Sequence, residues 1–244
     1  MNKKRKRLGQ HLLIDSKVLN AILNSAEIGK EVVYEIGTGD GFLTAELCKR
    51  ADKVISCEVD KDMIAVAEEH LEKYDNLILL HGDGFAFDGS FDVFVSNLPY
   101  AKSRKAVEWL ATRRFDRAVV MVQKEFARKI LANHGSNYRA ISALAQHCFH
   151  IDIIMHVGKE SFNPQPKVDS VLLKIVQKDK VGNDVVKALK LLFSYRGKKV
   201  NSVAKKFKIR STNVEKRIEQ LTPSEAIGLA RMIGQKQRLL QTFR

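Results

Sequence analysis

The chain has 244 residues, 45% of them hydrophobic, enough for one large core or one core plus a small appendage, and a formal net charge of +14. No stretch approaches the roughly 20 apolar residues of a membrane span, and the basic start Lys3-Lys4-Arg5-Lys6-Arg7 is followed by Gln10, His11, Asp15 and Lys17 instead of a signal-peptide apolar core, so a soluble, cytoplasmic protein is expected. Cys48, Cys57 and Cys148 are widely spaced, with no CxxC and no histidine at metal spacing, which predicts buried thiols in a reducing compartment and no metal site.

In chain order, residues 32–36, 53–58, 77–81, 91–96 and 118–123 are short apolar runs that read as strands. Residues 42–50, 63–71, 103–112 and 124–132 carry helical spacing. Such alternation predicts a parallel sheet with crossover helices. Two further strands, 151–157 and 168–176, are joined by a short segment with two prolines and predict an antiparallel closing pair. After residues 177–182 the pattern turns wholly helical, over 185–193, 200–207, 214–221 and 224–233. Thr222 is the expected N-cap of the last helix, with Pro223 at its first position. A domain boundary is expected near residue 178, giving residues 1–177 and 178–244.

Charge divides the chain in the same way. Residues 8–175 hold 20 basic and 23 acidic side chains, whereas residues 176–244 hold 17 basic and 5 acidic ones. A neutral body with two basic ends predicts polyanion-binding elements flanking a catalytic part.

The chemistry gathers at strand ends. The first strand opens into Glu35-Ile36-Gly37-Thr38-Gly39-Asp40-Gly41 and then a helix. Its G-x-G-x-G spacing lacks the G-x-G-x-x-G step of a dinucleotide fingerprint, which argues against NAD. The next strand ends at Glu58, where a carboxylate can accept both hydroxyls of a ribose. The third ends His81-Gly82-Asp83-Gly84, and Asp83 is either an acceptor for an adenine amino group or a turn-former beside two glycines. The fourth ends Asn97-Leu98-Pro99-Tyr100. There the Asn97 side-chain oxygen and a backbone carbonyl can accept from an exocyclic amine. Pro99 sets the backbone direction, and Tyr100 offers a stacking face. Open α/β sheets bind ligands along this carboxyl edge. The set reads as a site for S-adenosylmethionine (SAM) beside a site for a base bearing an amino group.

Seven strands ending in a hairpin resemble the Rossmann-like sheet of SAM-dependent methyltransferases, here with a small all-helical C-terminal domain. Over almost its whole length the chain resembles the ribosomal RNA adenine dimethyltransferases of the KsgA/Dim type. The motifs that carry the resemblance are Gly9-Gln10-His11-Leu12-Leu13, with His11 where the family has Asn, and Glu35–Gly41, Glu58, Asp83 and Asn97–Tyr100. Gln123-Lys124-Glu125-Phe126-Ala127 and the long Phe162-Asn163-Pro164-Gln165-Pro166-Lys167-Val168-Asp169-Ser170 add to them. Phe193-Ser194-Tyr195-Arg196-Gly197-Lys198-Lys199 is similar to a C-terminal segment of the small-subunit branch, and the compact C-terminal region points to an archaeal origin.

The resemblance implies cofactor contacts from Gln10, His11, Leu13, Glu35, Gly37, Gly39, Glu58, Asp83 and Asn97. It implies a target-base site at Asn97, Leu98, Pro99 and Tyr100. Phe162 is expected either to sandwich the base against Tyr100 or to anchor the proline-rich loop in the core. Arg196, Lys198, Lys199, Lys205 and Lys206 are the expected rRNA contacts. The implied reaction is dimethylation of the 6-amino group of two adjacent adenosines in the 3′-terminal hairpin of small-subunit (16S) rRNA during ribosome biogenesis, by a monomer acting on immature small subunits. Macrolide-resistance methyltransferases of 23S rRNA share the Asn-Leu-Pro-Tyr and Phe-x-Pro-x-Pro motifs and are the alternative. A non-catalytic ribosome-assembly factor that binds RNA is the alternative of another class.

Overall fold

A computed structural model describes residues 11–133, 135–210 and 215–242. The elements of the α/β part are β1 (Leu12–Leu13), α1 (Ser16–Ala26), β2 (Val32–Ile36), α2 (Phe42–Cys48), β3 (Lys53–Glu58), α3 (Lys61–Leu71), β4 (Leu77–His81), β5 (Val93–Ser96), α4 (Ser103–Leu110) and β6 (Arg117–Gln123). After α5 (Lys124–Ile130) and α6 (Ala140–Cys148) come β7 (Phe149–Val157), β8 (Phe162–Asn163) and β9 (Ser170–Gln177). The rest is helical: α7 (Asn183–Phe193), α8 (Val200–Phe207) and α9 (Pro223–Thr242).

The expected seven-stranded Rossmann-like sheet is present, in the order β4-β3-β2-β5-β6-β9-β7. Strand β2 pairs in parallel with β3 on one side, Val33 opposite Val54, and with β5 on the other, Val33 opposite Val93. Its run Val-Val-Tyr-Glu-Ile is buried almost throughout, as a strand covered on both faces must be. The chain winds outward from β2 to β4 and then returns to β5 on the opposite side of β2. That reversal opens a crevice at the carboxyl ends of β2 and β5. The closing strand β9 runs antiparallel to β6, Val120 opposite Leu173, and lies between β6 and β7.

Local signals set the helix starts. Asp15 caps α1 by accepting from the backbone N–H of Lys17 and Val18, and Ser161 Oγ donates to its other oxygen at 2.8 Å. Helix α1 buries Val18, Leu19, Ile22, Leu23 and Ala26, a 3.6-residue stripe. It ends where Arg117 of β6 donates to the carbonyls of Ala26 and Glu27 and grips Glu31 with two nitrogens. Thr222 and Glu225 exchange the reciprocal bonds of a capping box at the start of α9.

The chain packs as two compact units. One comprises the chain through Ala106, Arg114–Lys124 and Ile151–Gln177; the other comprises Val107–Arg113, Glu125–His150 and the chain from Lys178 onward. The boundary expected near residue 178 is the start of the second unit's last segment. That unit also gathers two earlier stretches, expected in the first domain, because α6 packs against α7 and α9. Its interior holds Ile141, Leu144, Leu189, Leu192, Ile227 and Ala230, with Tyr138 edge-on to Phe193. Helix α9 runs to Thr242, well past the expected 224–233. In the described part of the expected helix 214–221 there is a single 3-10 turn, Ile218–Gln220.

Among the described residues no helix is long and apolar enough to cross a membrane, and no three His, Cys, Asp or Glu side chains converge as metal ligands. The three cysteines are free and buried.

Candidate functional site

The loop after β2 depends on glycine. Gly37, Gly39 and Gly41 have φ of +92°, +61° and +87°, conformations that cost other residues a steric penalty. A Cβ at Gly39 would lie 3.0 Å from Leu12 Cδ2, so β1 sits directly on the loop. The end of β3 closes onto the same loop through Glu58, which is 3% exposed. Its Oε2 accepts from the Gly39 N–H at 3.0 Å, and its Oε1 accepts from Val59 and Asp60 N–H at 2.8 and 2.9 Å. An ionised carboxylate has about four acceptor positions, so room is left for a ligand hydroxyl.

Glu35 lies deeper and is fully buried. Thr44 Oγ1 and Ser56 Oγ donate to its Oε2 at 2.6 and 2.7 Å, whereas Oε1 has no partner among the described residues. Burial pushes this carboxyl up to about 7, against the hydrogen bonds of Ser56 and Thr44 and with the help of the Glu58 charge. Asp83, at the end of β4, is different. Its Oδ1 accepts from the Phe85 N–H at 3.1 Å and its Oδ2 from Lys105 Nζ at 2.8 Å. The Lys105 hydrogen bond holds it below the usual carboxylate range. Lys105 also sits 4.6 Å from the Phe85 ring centroid. Both readings of Asp83 therefore have support, since it caps the 3-10 turn Gly84–Ala86 and faces the cavity.

At the end of β5, Ser96 Oγ donates to the Ile36 carbonyl at 2.5 Å and ties this strand to β2. Asn97 Nδ2 donates to the His11 carbonyl at 3.0 Å. A carbonyl accepts only from the amide's nitrogen end, so Oδ1 is the end left for another donor. Leu98 is buried, and Pro99 has φ −53° and ψ 132°. Tyr100 Oη is 2.5 Å from Ser170 Oγ, and the His11 ring stacks on Tyr100 with centroids 5.7 Å apart. The His11 ring is itself tied by Nδ1 to the Pro164 carbonyl at 2.7 Å.

These groups surround one cavity of about 310 Å³. His11, Leu13, Glu35, Gly37, Gly39, Glu58, Asp83, Asn97, Leu98, Pro99 and Tyr100 all line it, so the structure brings these candidate residues together. Gln10 lies outside the described residues. Phe162 requires a correction, because the structure does not bring it to the cavity. It is 1% exposed, paired opposite Leu13 in the small β1–β8 sheet and packed into the hydrophobic core.

Sequence reasoning missed Phe42, Val59, Phe85 and Lys102 in the lining, and missed the hydroxyls of Thr44 and Ser56 behind it. Val59 and Phe85 each stand one or two residues beyond a predicted acid, which was the available signal.

The expected RNA contacts lie in the second unit. Arg196 is paired with Glu219 at 2.8 Å and Lys199 with Glu215 at 2.5 Å. Lys206 lies over the Tyr195 ring at 4.9 Å. Lys198 and Lys205 are exposed, with no carboxylate partner among the described residues.

A sheet of this order, with its cavity over the first glycine turn, is the architecture of Rossmann-like methyltransferases. The fold is similar to that of a solved 23S rRNA methyltransferase, ErmE, at a TM-score of 0.66 and 20% identity over 91% of this chain and 99% of that one. It is also similar to a dimethyladenosine transferase from Plasmodium falciparum, at a TM-score of 0.78 and 29% identity over 93% of this chain and 98% of that one.

The family model described as "Ribosomal RNA adenine dimethylase" matches residues 1–241, and the chain belongs to that family of SAM-dependent methyltransferases. Among its relatives, the "Probable ribosomal RNA small subunit methyltransferase A" of Pyrococcus abyssi is 40% identical over 80% of this chain and 73% of the relative. The "Ribosomal RNA small subunit methyltransferase A" of Clostridium botulinum is 36% identical over 86% and 81%.

Proposed function

We propose that this chain uses SAM to dimethylate the 6-amino group of two adjacent adenosines in the 3′-terminal hairpin of small-subunit rRNA, acting on immature small subunits. One observation carries the reading: the Asn97 Oδ1 end and the Leu98 backbone stand at the end of β5, on the same cavity as the glycine loop of β2. The small-subunit substrate is favoured over 23S rRNA by relatives named for the small subunit at 36–40% identity, whereas the likeness to ErmE at 20% identity bears on the fold alone.

The cavity fits the cofactor on its own chemistry. Glu35 places a buried, unpartnered oxygen behind the cavity wall, Glu58 has one spare acceptor position for a ribose hydroxyl, and the three left-handed glycines permit close backbone approach. Asp83 is the acceptor for the adenine amine, and His11 and Leu13 line the same cavity. When bound, SAM supplies an electrophilic methyl group on a sulfonium.

The chain's own part is positioning and electrostatics. The lone pair of an adenine amine is delocalised into the ring. In the first transfer, acceptance of both amine hydrogens by Asn97 Oδ1 and the Leu98 carbonyl favours the pyramidal, nucleophilic nitrogen; one of these protons leaves to solvent as the methyl group arrives, and the monomethylated amine keeps one hydrogen for one of the two acceptors in the second. A stacked base cannot enter the cavity, so the adenine is splayed out and rests on Tyr100, with Ser170 and His11 fixing that ring. Lys198, Lys205 and Lys206, with the paired Arg196 and Lys199, hold rRNA phosphates.

Tritium transfer from labelled SAM to immature small subunits tests the reading, with fully methylated small subunits as the control. Label is expected in the immature particles alone. SAM binding without transfer to any ribosomal particle would point instead to an RNA-binding assembly factor.

A further inference from the structure

His11 stands immediately before β1 and meets both key side chains of the target-base side. Its ring stacks on Tyr100 with centroids 5.7 Å apart, and its main-chain carbonyl accepts from Asn97 Nδ2 at 3.0 Å. Nδ1 lies 2.7 Å from the Pro164 carbonyl. A carbonyl only accepts, so Nδ1 carries a hydrogen, and in the neutral ring Nε2 is left with a bare lone pair. The two ring nitrogens point apart, so Nε2 points away from the proline-rich loop. It has no partner among the described residues, and His11 is half-buried on the cavity wall.

The proposed reaction calls for a base on this side. Each methyl transfer forms one C–N bond and leaves the target nitrogen cationic, and one N–H bond must then break. Asn97 Oδ1 and the Leu98 carbonyl accept hydrogen bonds, but amide oxygens do not hold a proton near neutrality. Of the titratable groups on the wall, Glu35, Asp40, Cys57, Glu58 and Asp83 stand at the ends of β2, β3 and β4, on the cofactor's side. Beside Asn97 stand His11, Tyr100 and Lys102. Tyr100 Oη is held by Ser170, and burial, with the Asp169 charge of the proline-rich loop, keeps its phenol neutral. Lys102, as an ammonium, has no lone pair to offer. Among the described residues of that side, His11 is the group with a lone pair free to take a proton.

We propose that His11 Nε2 is the proton acceptor for the target amine in both transfers. This rests on the methyltransferase reading above and adds a catalytic residue to it. The N–H bond breaks, its electron pair returns to the target nitrogen, and the proton passes to Nε2, directly or through one water. The imidazolium then gives that proton to solvent, and Nε2 is bare again for the second transfer. Each adenosine thus gains two methyl groups and gives up two protons. The Pro164 bond keeps a hydrogen on Nδ1 throughout, so the ring returns to the same tautomer each time.

Single-turnover methylation of immature small subunits at saturating SAM, measured across the neutral pH range, tests this. The unaltered chain should show an acid limb whose midpoint matches the titration of the His11 ring, followed by NMR in the SAM-bound protein. Nitrogen-15 shifts should report a hydrogen on Nδ1 and a bare Nε2 on the basic side, a readout independent of turnover. His11→Phe keeps a ring against Tyr100 and removes the nitrogens. Its rate should fall about 100-fold and lose the acid limb, with SAM affinity within about threefold. In His11→Gly, added imidazole should restore part of the rate, which a loss of packing alone would not allow.

An unchanged rate in His11→Phe would overturn the proton acceptor and leave the methyltransferase reading standing. An acid limb that survives in His11→Phe would also overturn it, and would assign the limb to Glu35 or another wall group. A fall in SAM affinity as large as the fall in rate would make His11 a cofactor contact instead. A slow His11→Gly protein that imidazole does not restore would leave His11 only a support for Tyr100. No methylation by the unaltered chain at any pH would overturn the methyltransferase reading and this role with it.

Discussion

Replacing Glu58 with alanine removes one carboxylate that accepts from three backbone N–H groups, those of Gly39, Val59 and Asp60, in a position that is 3% exposed. Each buried donor left without a partner costs about 1–3 kcal/mol. Water entering from the cavity can serve some of the three, so a net loss of roughly 2–4 kcal/mol is expected. At about 2–4 °C per kcal/mol for a chain of this size, the melting temperature should fall by roughly 5–15 °C. Cofactor affinity should fall separately, by about 1.5–3 kcal/mol for hydrogen bonds to a charged group, or roughly 10- to 150-fold in Kd. Glu58→Gln should be intermediate in stability. Its amide oxygen can keep the Val59 and Asp60 bonds, but its NH2 then faces the Gly39 N–H, donor against donor. Scanning fluorimetry and calorimetric titration with SAM measure the two effects. A folded Glu58→Ala protein with unchanged melting and unchanged SAM affinity would refute the reasoning; lowered melting with unchanged affinity would show that the carboxylate serves the loop alone.

Asn97→Ala should abolish turnover while SAM affinity stays within about threefold, under 1 kcal/mol, because its free oxygen faces the substrate amine; single-turnover methylation and titration check the split. Tyr100→Phe should cost about 1 kcal/mol of stability through loss of the Ser170 hydroxyl contact and lower turnover only mildly, whereas Tyr100→Ala removes a stacking face worth about 1–3 kcal/mol and should lower turnover severely. Filter binding of rRNA against salt should show the double change Lys198→Gln and Lys205→Gln flattening the log–log slope by up to about 1.4–1.8, and Arg196→Gln with Lys199→Gln flattening it less, because Glu219 and Glu215 already hold those two. In the cofactor-free chain the raised Glu35 carboxyl binds its proton more tightly folded than unfolded. Its contribution to stability is therefore fully present below the unfolded value near 4.5 and is lost as pH rises toward about 7, a span worth up to about 3 kcal/mol. Urea melts at pH 5, 6 and 7 should show this slope relative to Glu35→Gln.

Much of the α/β part was legible because buried parallel strands are continuous apolar runs. The expected 32–36 and 53–58 coincide with the buried β2 and β3, and 77–81 with the edge strand β4, which is apolar but only partly buried. The acids and glycines at their ends were legible for the same reason, since a strand's end fixes where the next polar residue stands. Helix α1 carried a plain 3.6-residue stripe and an Asp15 cap, and it was missed although its signal is local. The β1–β8 pair was not legible: two-residue strands have no periodicity, and their partners lie about 150 positions apart in sequence. That pairing decides the fate of Phe162, because an aromatic residue in a proline-rich motif reads the same whether it stacks on a substrate or fills a core. Charge totals located the basic region but could not show that Arg196 and Lys199 are spoken for by Glu219 and Glu215. Likewise Glu35 read as part of a glycine loop. Its unpartnered oxygen emerged only once Thr44, from a helix, and Ser56, from a neighbouring strand, were seen to hold the other one.

The most direct test of the central claim is mass spectrometry of nuclease-digested rRNA from both ribosomal subunits after incubation of immature particles with the protein and SAM. The account predicts two adjacent adenosines near the 3′ end of small-subunit rRNA, each carrying two methyl groups on the 6-amino nitrogen, with large-subunit rRNA unchanged. Dimethyladenosine confined to 23S rRNA, or no new methyl group on either RNA with an SAM-binding protein, would contradict it.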